Sequence, residues 1–263
     1  MIYFATIHHN TSQFIRMQEK YIDRYTSEPY KIYRALHIPD AEDFPDTEQI
    51  LNFDISGELN QHWFRLNYLS DRIMKVANDE DILVFIDGDA FPSNEWVPLL
   101  KEALSSNEIY AVERRENPEP LMMDCQKPYP HPCFFSTTVK FWRTNNLSWQ
   151  LNPALQAETC GALLKMQMDL EGWTNKPLLR SNAIDVHPLY FGIYGSCIYH
   201  HGCGNRQHQS YDSIDIWNRP DMEGRDLDQL TNITGFNRDL SRLVFDAIEK
   251  DDSFINNFFM GIK

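Results

Sequence analysis

Apolar residues along this chain recur in two rhythms. Short continuous runs stand at Tyr3–Ile7 (YFATI), Ile82–Ile86 (ILVFI) and Ile109–Val112 (IYAV). Between them lie stretches with apolar positions three and four apart. Phe14, Met17, Tyr21 and Ile22 form one such stripe, and Leu66, Leu69, Ile73 and Val76 form another. The runs predict buried strands and the stripes predict amphipathic helices. With YKIYRAL at 30–36 as a further strand, the first 115 residues read strand 3–7, helix 12–25, strand 30–36, helix 60–77, strand 82–87, helix 94–104 and strand 109–114. Pro98 fits only the first turn of its helix. This alternation predicts an α/β fold, a mostly parallel sheet flanked by helices.

The rhythm then breaks. Residues 39–54 are acidic and residues 117–132 are proline-rich, and both read as loops. The segment CFFSTTVKFW reads as strand. A helix is expected over 158–171, with Gly172 as its stop. AIDVHPLYFGIYG and SCIYHHG read as short strands or loops, and the residues from Asp226 onward as a helical tail. The expected organisation is one domain over 1–205, with a nucleotide-binding half at 1–115 and an acceptor half at 116–205. An extension over 206–263 packs on it.

Composition narrows the partners. The 263 residues carry a net charge of −14, which disfavours nucleic acid and anionic membrane surfaces. Five cysteines without a CxxC pair predict reduced thiols rather than a disulfide framework or a zinc ribbon. The first residues lack the pattern of a signal peptide, and no stretch reaches the roughly 18 apolar residues of a membrane helix. The expectation is a cytoplasmic protein with no membrane segment, in which the sequon at Asn232 carries no weight.

The chemistry concentrates at ILVFIDGDAF, residues 82–91. An apolar strand ends in Asp87 and Asp89, with Gly88 letting the backbone turn between them. In an open α/β sheet the carboxyl ends of the strands face the ligand crevice. Two neighbouring carboxylates repel, and a divalent cation bridging them to a diphosphate would keep both ionised. Hard oxygen ligands suit Mg²⁺ or Mn²⁺. Asp-Gly-Asp also serves as a plain turn; the apolar strand before it and the helix after it favour the metal reading.

The stretch DILVFIDGDAF resembles the DxD region of GT-A glycosyltransferases, whose Rossmann-like fold the order of elements over residues 1–205 also resembles. The closest likeness is to small bacterial and viral members. That resemblance implies a nucleotide-sugar donor, UDP- or GDP-linked, whose diphosphate is held through Mn²⁺ or Mg²⁺ by Asp87 and Asp89. It implies a late histidine in the metal shell, for which IYHHGCGNR offers His200 and His201. The His201–Gly204 stretch resembles an HxxG element of some retaining families, but the Lys-Pro-Trp continuation is absent.

The same resemblance implies further roles. The end of the first strand, with Thr6, His8, His9 and Asn10, would meet the nucleotide, helped by Gly88 and by Arg65 and Asn67 on the preceding helix. His131, Cys133 and Phe134 would line the acceptor or sugar pocket. Glu158, at a helix start that keeps a carboxylate ionised, would be the general base of an inverting reaction, with Asp89 also at the reacting centre. Glu158 or Thr159 could equally cap that helix.

The reading is a metal-dependent glycosyltransferase moving a sugar to a hydroxyl, on a glycan or another acceptor. Two alternatives stand beside it. A sugar-phosphate nucleotidyltransferase would need a Gly-rich basic loop near the N-terminus, and FATIHHNTSQF has neither glycine nor lysine. A non-catalytic carbohydrate-binding protein could keep the same fold.

Overall fold

The computed structural model describes residues 1–9, 12–37, 48–50, 62–115, 129–152, 160–187, 190–202 and 227–262. In chain order, β1 (Ile2–His9), α1 (Gln13–Tyr25), β2 (Tyr30–His37) and β3 (Glu48–Ile50) come first. Then follow α2 (His62–Met74), β4 (Ile82–Asp87), β5 (Ala90–Pro92), α3 (Val97–Leu104) and β6 (Ile109–Glu113). The second half holds β7 (Pro130–Thr138), α4 (Val139–Thr144), α5 (Ala162–Glu171), β8 (Asn175–Leu178), β9 (Gly192–Tyr194) and β10 (Ile198–His200). Helix α6 (Leu227–Lys250) and a π-helical turn (Ile255–Phe259) close the chain.

The main sheet has the order β3-β2-β1-β4-β7-β6-β8. Four of its six pairings are parallel, and β7 alone runs against both of its neighbours. This is the mostly parallel, helix-flanked α/β sheet that the alternation of strands and helices predicts. Parallel strands buried on both faces read as unbroken apolar runs, which is why β1 and β4 are legible as such.

The two faces carry separate cores. Tyr3, Ala5, Ile7, Leu83 and Phe85 pack against Leu66, Leu69 and Ile73 of α2 and against residues of α4 and α5. Ile2, Phe4, Val84 and Ile86 pack on the other side against Ile22 of α1, Trp96 just before α3, and Val97 and Leu100 of α3. Each fully buried Phe or Leu of these layers contributes about 1.5–3 kcal/mol relative to exposure. A third cluster joins Phe14 and Tyr21 of α1 to Tyr199 of β10, Phe245 of α6 and Phe259 of the π-turn.

Chain order dictates where helices begin. A helix joining two parallel strands runs back along the sheet, so its first turn stands at the strands' carboxyl edge. The N-termini of α1 and α2 are placed there. Between β1 and β4 the connections diverge, β1 leading towards β2 and β4 towards β7 and β6. That is a topological switch point, where a crevice opens beyond the strand ends.

Several expectations change. Strand β3 lies inside the stretch read as a loop. Strands β5 and β8 were not expected, being three and four residues long. CFFSTTVKFW divides: strand ends at Thr138, whose side-chain oxygen accepts a hydrogen bond from the Phe141 amide at 3.1 Å and starts α4. The helix placed at 158–171 is seen from Ala162, and Gly172 ends it in the left-handed conformation as expected. The expected boundary at 205/206 lies outside the described residues. Among the described residues, no helix is long and apolar enough to cross a membrane.

Candidate metal centre

β4 ends at Asp87, paired in register with Ile7 of β1, at the switch point. Asp89 follows one turn residue later and is buried. A small three-stranded sheet, β5-β10-β9, then crosses this end. Its antiparallel pairing sets His200 opposite Ala90. The His200 Nε2 consequently lies 3.4 Å from Asp89 Oδ1 and 3.6 Å from Asp87 Oδ2. One ligand atom from each of the three residues lies within 4.8 Å of the others.

These separations exceed those of good hydrogen bonds, about 2.7–3.2 Å. Two ligands held at about 2.0–2.2 Å from one ion stand roughly 3–4 Å apart, so the spacing fits a shared cation. The donor set, two carboxylates and one imidazole, can hold a divalent metal.

Further imidazoles surround the carboxylates. His62, the first residue of α2, places Nε2 3.4 Å from Asp87 Oδ1, and its ring also meets Cys160 at the approach to α5. The His131 ring centroid is 6.1 Å from that of His200. Burial pushes the Asp87 carboxyl up, but the contact with the His62 ring and the charges of His62 and His200 outweigh it and leave the group below its ordinary value. Burial likewise opposes protonation of His62 and His200, and the neighbouring carboxylates and thiols more than reverse that.

His131 behaves differently. Burial, joined by the charge of Arg114, lowers it to about 3, so it is neutral near pH 7. Its Nδ1 accepts the Cys133 backbone N–H at 3.0 Å, which places the remaining ring proton on Nε2.

A buried polar layer holds the Asp87–Ala90 turn from below. The Gln18 side chain, fully buried on α1, donates to the carbonyls of Asp87 at 2.8 Å and Ala90 at 2.7 Å. Its Oε1 meets His8 Nε2 at 3.2 Å. Gly88 sits so close to β1 that a Cβ there would stand 2.3 Å from the Ile7 carbonyl oxygen and 2.8 Å from His8 Nδ1. The glycine is required by space, as its neighbours are backbone and a locked ring.

The residues singled out from sequence separate into groups. Asp87, Asp89 and His200 come together, with Gly88 between the carboxylates and His131 beside His200. His201 does not join them, which corrects its placement as a metal ligand. Neighbours on a strand point to opposite faces. Its ring packs between Phe14 and Phe191, with Nδ1 3.0 Å from the Tyr199 hydroxyl and Nε2 2.9 Å from Ser241 of α6.

Thr6 and His8, expected at the donor, are interior. β1 runs on to His9, so Thr6 is a mid-strand position, fully buried, with Arg34 and Ile86 beside it in register. His8 is buried under Gly88, where burial lowers its imidazole to about 3. Asn67 spends its amide on Ser148 at 2.9 Å and on the Trp149 backbone N–H at 2.8 Å, tying α2 to the loop after α4. Arg65 is buried on α2, and burial lowers its guanidinium.

Phe134, expected at the sugar pocket, is fully buried in the core, edge-on to Trp96 and Tyr110. Cys133 is buried against His200, and burial raises its thiol. Glu158, Asn10 and the side chain of His9 lie outside the described residues.

Sequence reasoning missed Gln18, His62 and Cys160. A glutamine four residues from both Phe14 and Ile22 interrupts an apolar stripe, and that was a readable signal. His62 opens the helix that leads into the carboxylate strand, which puts it at the same edge of the sheet.

No protein-family model matches the chain, and no curated protein matches it. Solved structures to which the chain is similar include the galactosyltransferase LgtC in complex with donor and acceptor sugar analogs, at 13% identity and a TM-score of 0.36, over 54% of this chain and 59% of that one. Another is the mannosyltransferase PcManGT of Pyrobaculum calidifontis, in complex with GDP-Man and Mn²⁺, at 10% identity and a TM-score of 0.46, over 67% and 54%. A third is a Bacillus anthracis protein assigned as a glucose-1-phosphate thymidylyltransferase, at 12% identity and a TM-score of 0.41, over 68% and 87%. The chain thus spans little more than half the length of the first two. The likeness is to GT-A-type glycosyltransferases and to a sugar nucleotidyltransferase alike, and at these values the chemistry has to be read from the carboxylate–imidazole cluster itself.

Proposed function

We propose that this chain is a divalent-cation-dependent glycosyltransferase, moving a sugar from a nucleotide-sugar donor to a hydroxyl acceptor. The observation that carries the reading is the convergence of Asp87, Asp89 and His200 at the switch point of the sheet. Asp87, Asp89 and His200 would hold Mn²⁺ or Mg²⁺, with the mixed oxygen and nitrogen set favouring Mn²⁺. When bound, the cation neutralises the departing nucleoside diphosphate.

The chain's own residues supply the rest. The bond from the anomeric carbon to the diphosphate oxygen breaks, and the acceptor oxygen forms a new bond to that carbon. The acceptor's proton must leave with a base. Glu158 remains the proposed base for an inverting outcome. His131, neutral with its proton on Nε2, is suited to donate a hydrogen bond to a sugar oxygen rather than to take a proton. His62 stands beside Asp87 and would orient that carboxylate. UDP- and GDP-sugars are the proposed donors, and a glycan hydroxyl the proposed acceptor.

The test is a thermal-shift panel of UDP-, GDP-, CMP- and dTDP-sugars, with and without Mn²⁺. The expected result is a rise in melting temperature that needs both Mn²⁺ and one nucleotide family and disappears in Asp89→Asn. Equal stabilisation of parent and Asp89→Asn, or stabilisation indifferent to Mn²⁺, would sink the proposal.

A further inference from the structure

The turn that carries both carboxylates is held by one side chain from another element. β4 ends at Asp87 and β5 begins at Ala90, so the carbonyls of these two residues bracket Gly88 and Asp89. Both accept a hydrogen bond from the same amide nitrogen, Gln18 Nε2, at 2.8 and 2.7 Å. That nitrogen has two protons, and both are used.

The amide's orientation is therefore settled, and Oε1 must face His8. The proton in that 3.2 Å contact belongs to His8 Nε2. His8 Nδ1 then lies without a proton against Gly88, in the space where any larger residue would collide. Gln18 and His8 are both buried. A glutamine so placed on the apolar stripe of α1 loses its hydration, and a leucine there would serve packing better. Its two bonds fix the span from Asp87 to Ala90, on which the separation of the two carboxylates depends.

We infer that Gln18 is a positioning residue for the cation, and that His8 sets its orientation. The inference rests on the cation reading of Asp87, Asp89 and His200. Gln18 clamps the turn so that the two carboxylates and His200 meet one ion. It touches neither the ion nor the substrate.

The test uses the full chain and Mn²⁺ alone, titrated by the electron paramagnetic resonance signal of free Mn²⁺. Gln18→Met keeps the length and loses both donors. His8→Leu leaves both donors but releases the amide's orientation. Ile73→Val, in the core on the opposite face of the sheet, is the control for simple destabilisation. All are measured well below their melting temperatures, which are recorded alongside.

The expected result is Mn²⁺ affinity lower by about 10–100-fold in Gln18→Met, the range typical of residues that orient metal ligands. A smaller loss is expected in His8→Leu and none in Ile73→Val, although its melting temperature falls. Parent-like Mn²⁺ affinity in folded Gln18→Met overturns the inference and leaves Gln18 as a docking contact for α1. If Gln18→Met does not fold, His8→Leu decides by the same criterion. A parent that binds no Mn²⁺ overturns the cation reading itself, and this one with it.

Discussion

Ala90 and His200 face each other across the antiparallel β5–β10 pair, and that pairing delivers an imidazole to a carboxylate pair made by a distant part of the chain. The His201 amide adds a hydrogen bond to the Asp89 carbonyl at 3.0 Å, so the backbone fastens the two segments just beyond the ladder. The main sheet brings Asp87 to the centre at the end of β4, and a three-residue strand of the small sheet brings the imidazole to it. Removing the imidazole should therefore leave the pairing intact. His200→Ala is expected to lower Mn²⁺ affinity by at least about 100-fold, more than loss of an outer-shell group costs. The far-ultraviolet dichroism should stay that of the parent. Parent-like Mn²⁺ binding would take His200 out of the metal set.

His201→Ala separates the two adjacent histidines. The backbone bond to Asp89 survives, but Tyr199 and Ser241 each lose a buried partner. Leaving buried polar groups unsatisfied costs about 1–3 kcal/mol. The expected outcome is a clear fall in melting temperature with Mn²⁺ affinity within about twofold of the parent. A loss of affinity as large as that of His200→Ala would show that the ring does more than fasten α6 to β10.

The strand leading to Asp87 was legible because burial on both faces forces a continuous apolar run, and the glycine between two aspartates marks its end. His200 could be guessed only as one of two neighbours, since which one turns inward depends on β10 pairing with β5. Strands as short as AFP and IYH show no period of their own. Thr6 was misplaced because the polar His8 and His9 looked like a loop, whereas β1 carries His8 inside. Burial of that polar residue follows from Gln18, a contact between α1 and β1 that no local pattern encodes. Phe134 was expected at a pocket from the family resemblance alone; β7 turns it onto Trp96.

Two glycines offer a contrast between space and conformation. At Gly88 an added Cβ would collide with the Ile7 carbonyl oxygen at 2.3 Å. Gly88→Ala must push β4 away from β1 at the centre, and overpacking of this kind costs about 1–3 kcal/mol. At Gly172 the φ of +69° is left-handed, but a Cβ would meet nothing within 4 Å. Gly172→Ala should cost about 1–2 kcal/mol of backbone strain, seen as a loss of several degrees in melting temperature. Only Gly88→Ala should weaken Mn²⁺ binding. Equal Mn²⁺ affinities in the two variants would remove the close packing of Gly88 from the account of the centre.

Asp81 gives the fold a pH dependence that can be isolated from the centre. Its carboxylate accepts from the α-amino group of Met1 at 2.9 Å and from the Asn78 backbone N–H at 2.8 Å, at the turn into β4. Burial pushes the carboxyl up, but these bonds and the adjacent positive charge pull harder and leave it below the ordinary 3.8. A depressed folded value means that the unfolded chain binds the proton more readily, so stability rises with pH across the window. The contribution is fully present above about 4 and is lost as pH falls through the lower, folded value. Asp81→Asn should thus be less stable than the parent by about 1–3 kcal/mol near neutral pH, the cost of breaking a charge-assisted pair of bonds. Urea unfolding at about pH 7, 5 and 3 would give the difference between the two proteins, in which the histidines of the centre cancel. That difference should hold from about pH 7 to 5 and shrink towards pH 3. A difference that stays constant down to about pH 3 would mean that the Asp81 carboxyl is not depressed in the fold, and that its bonds are worth no more charged than neutral.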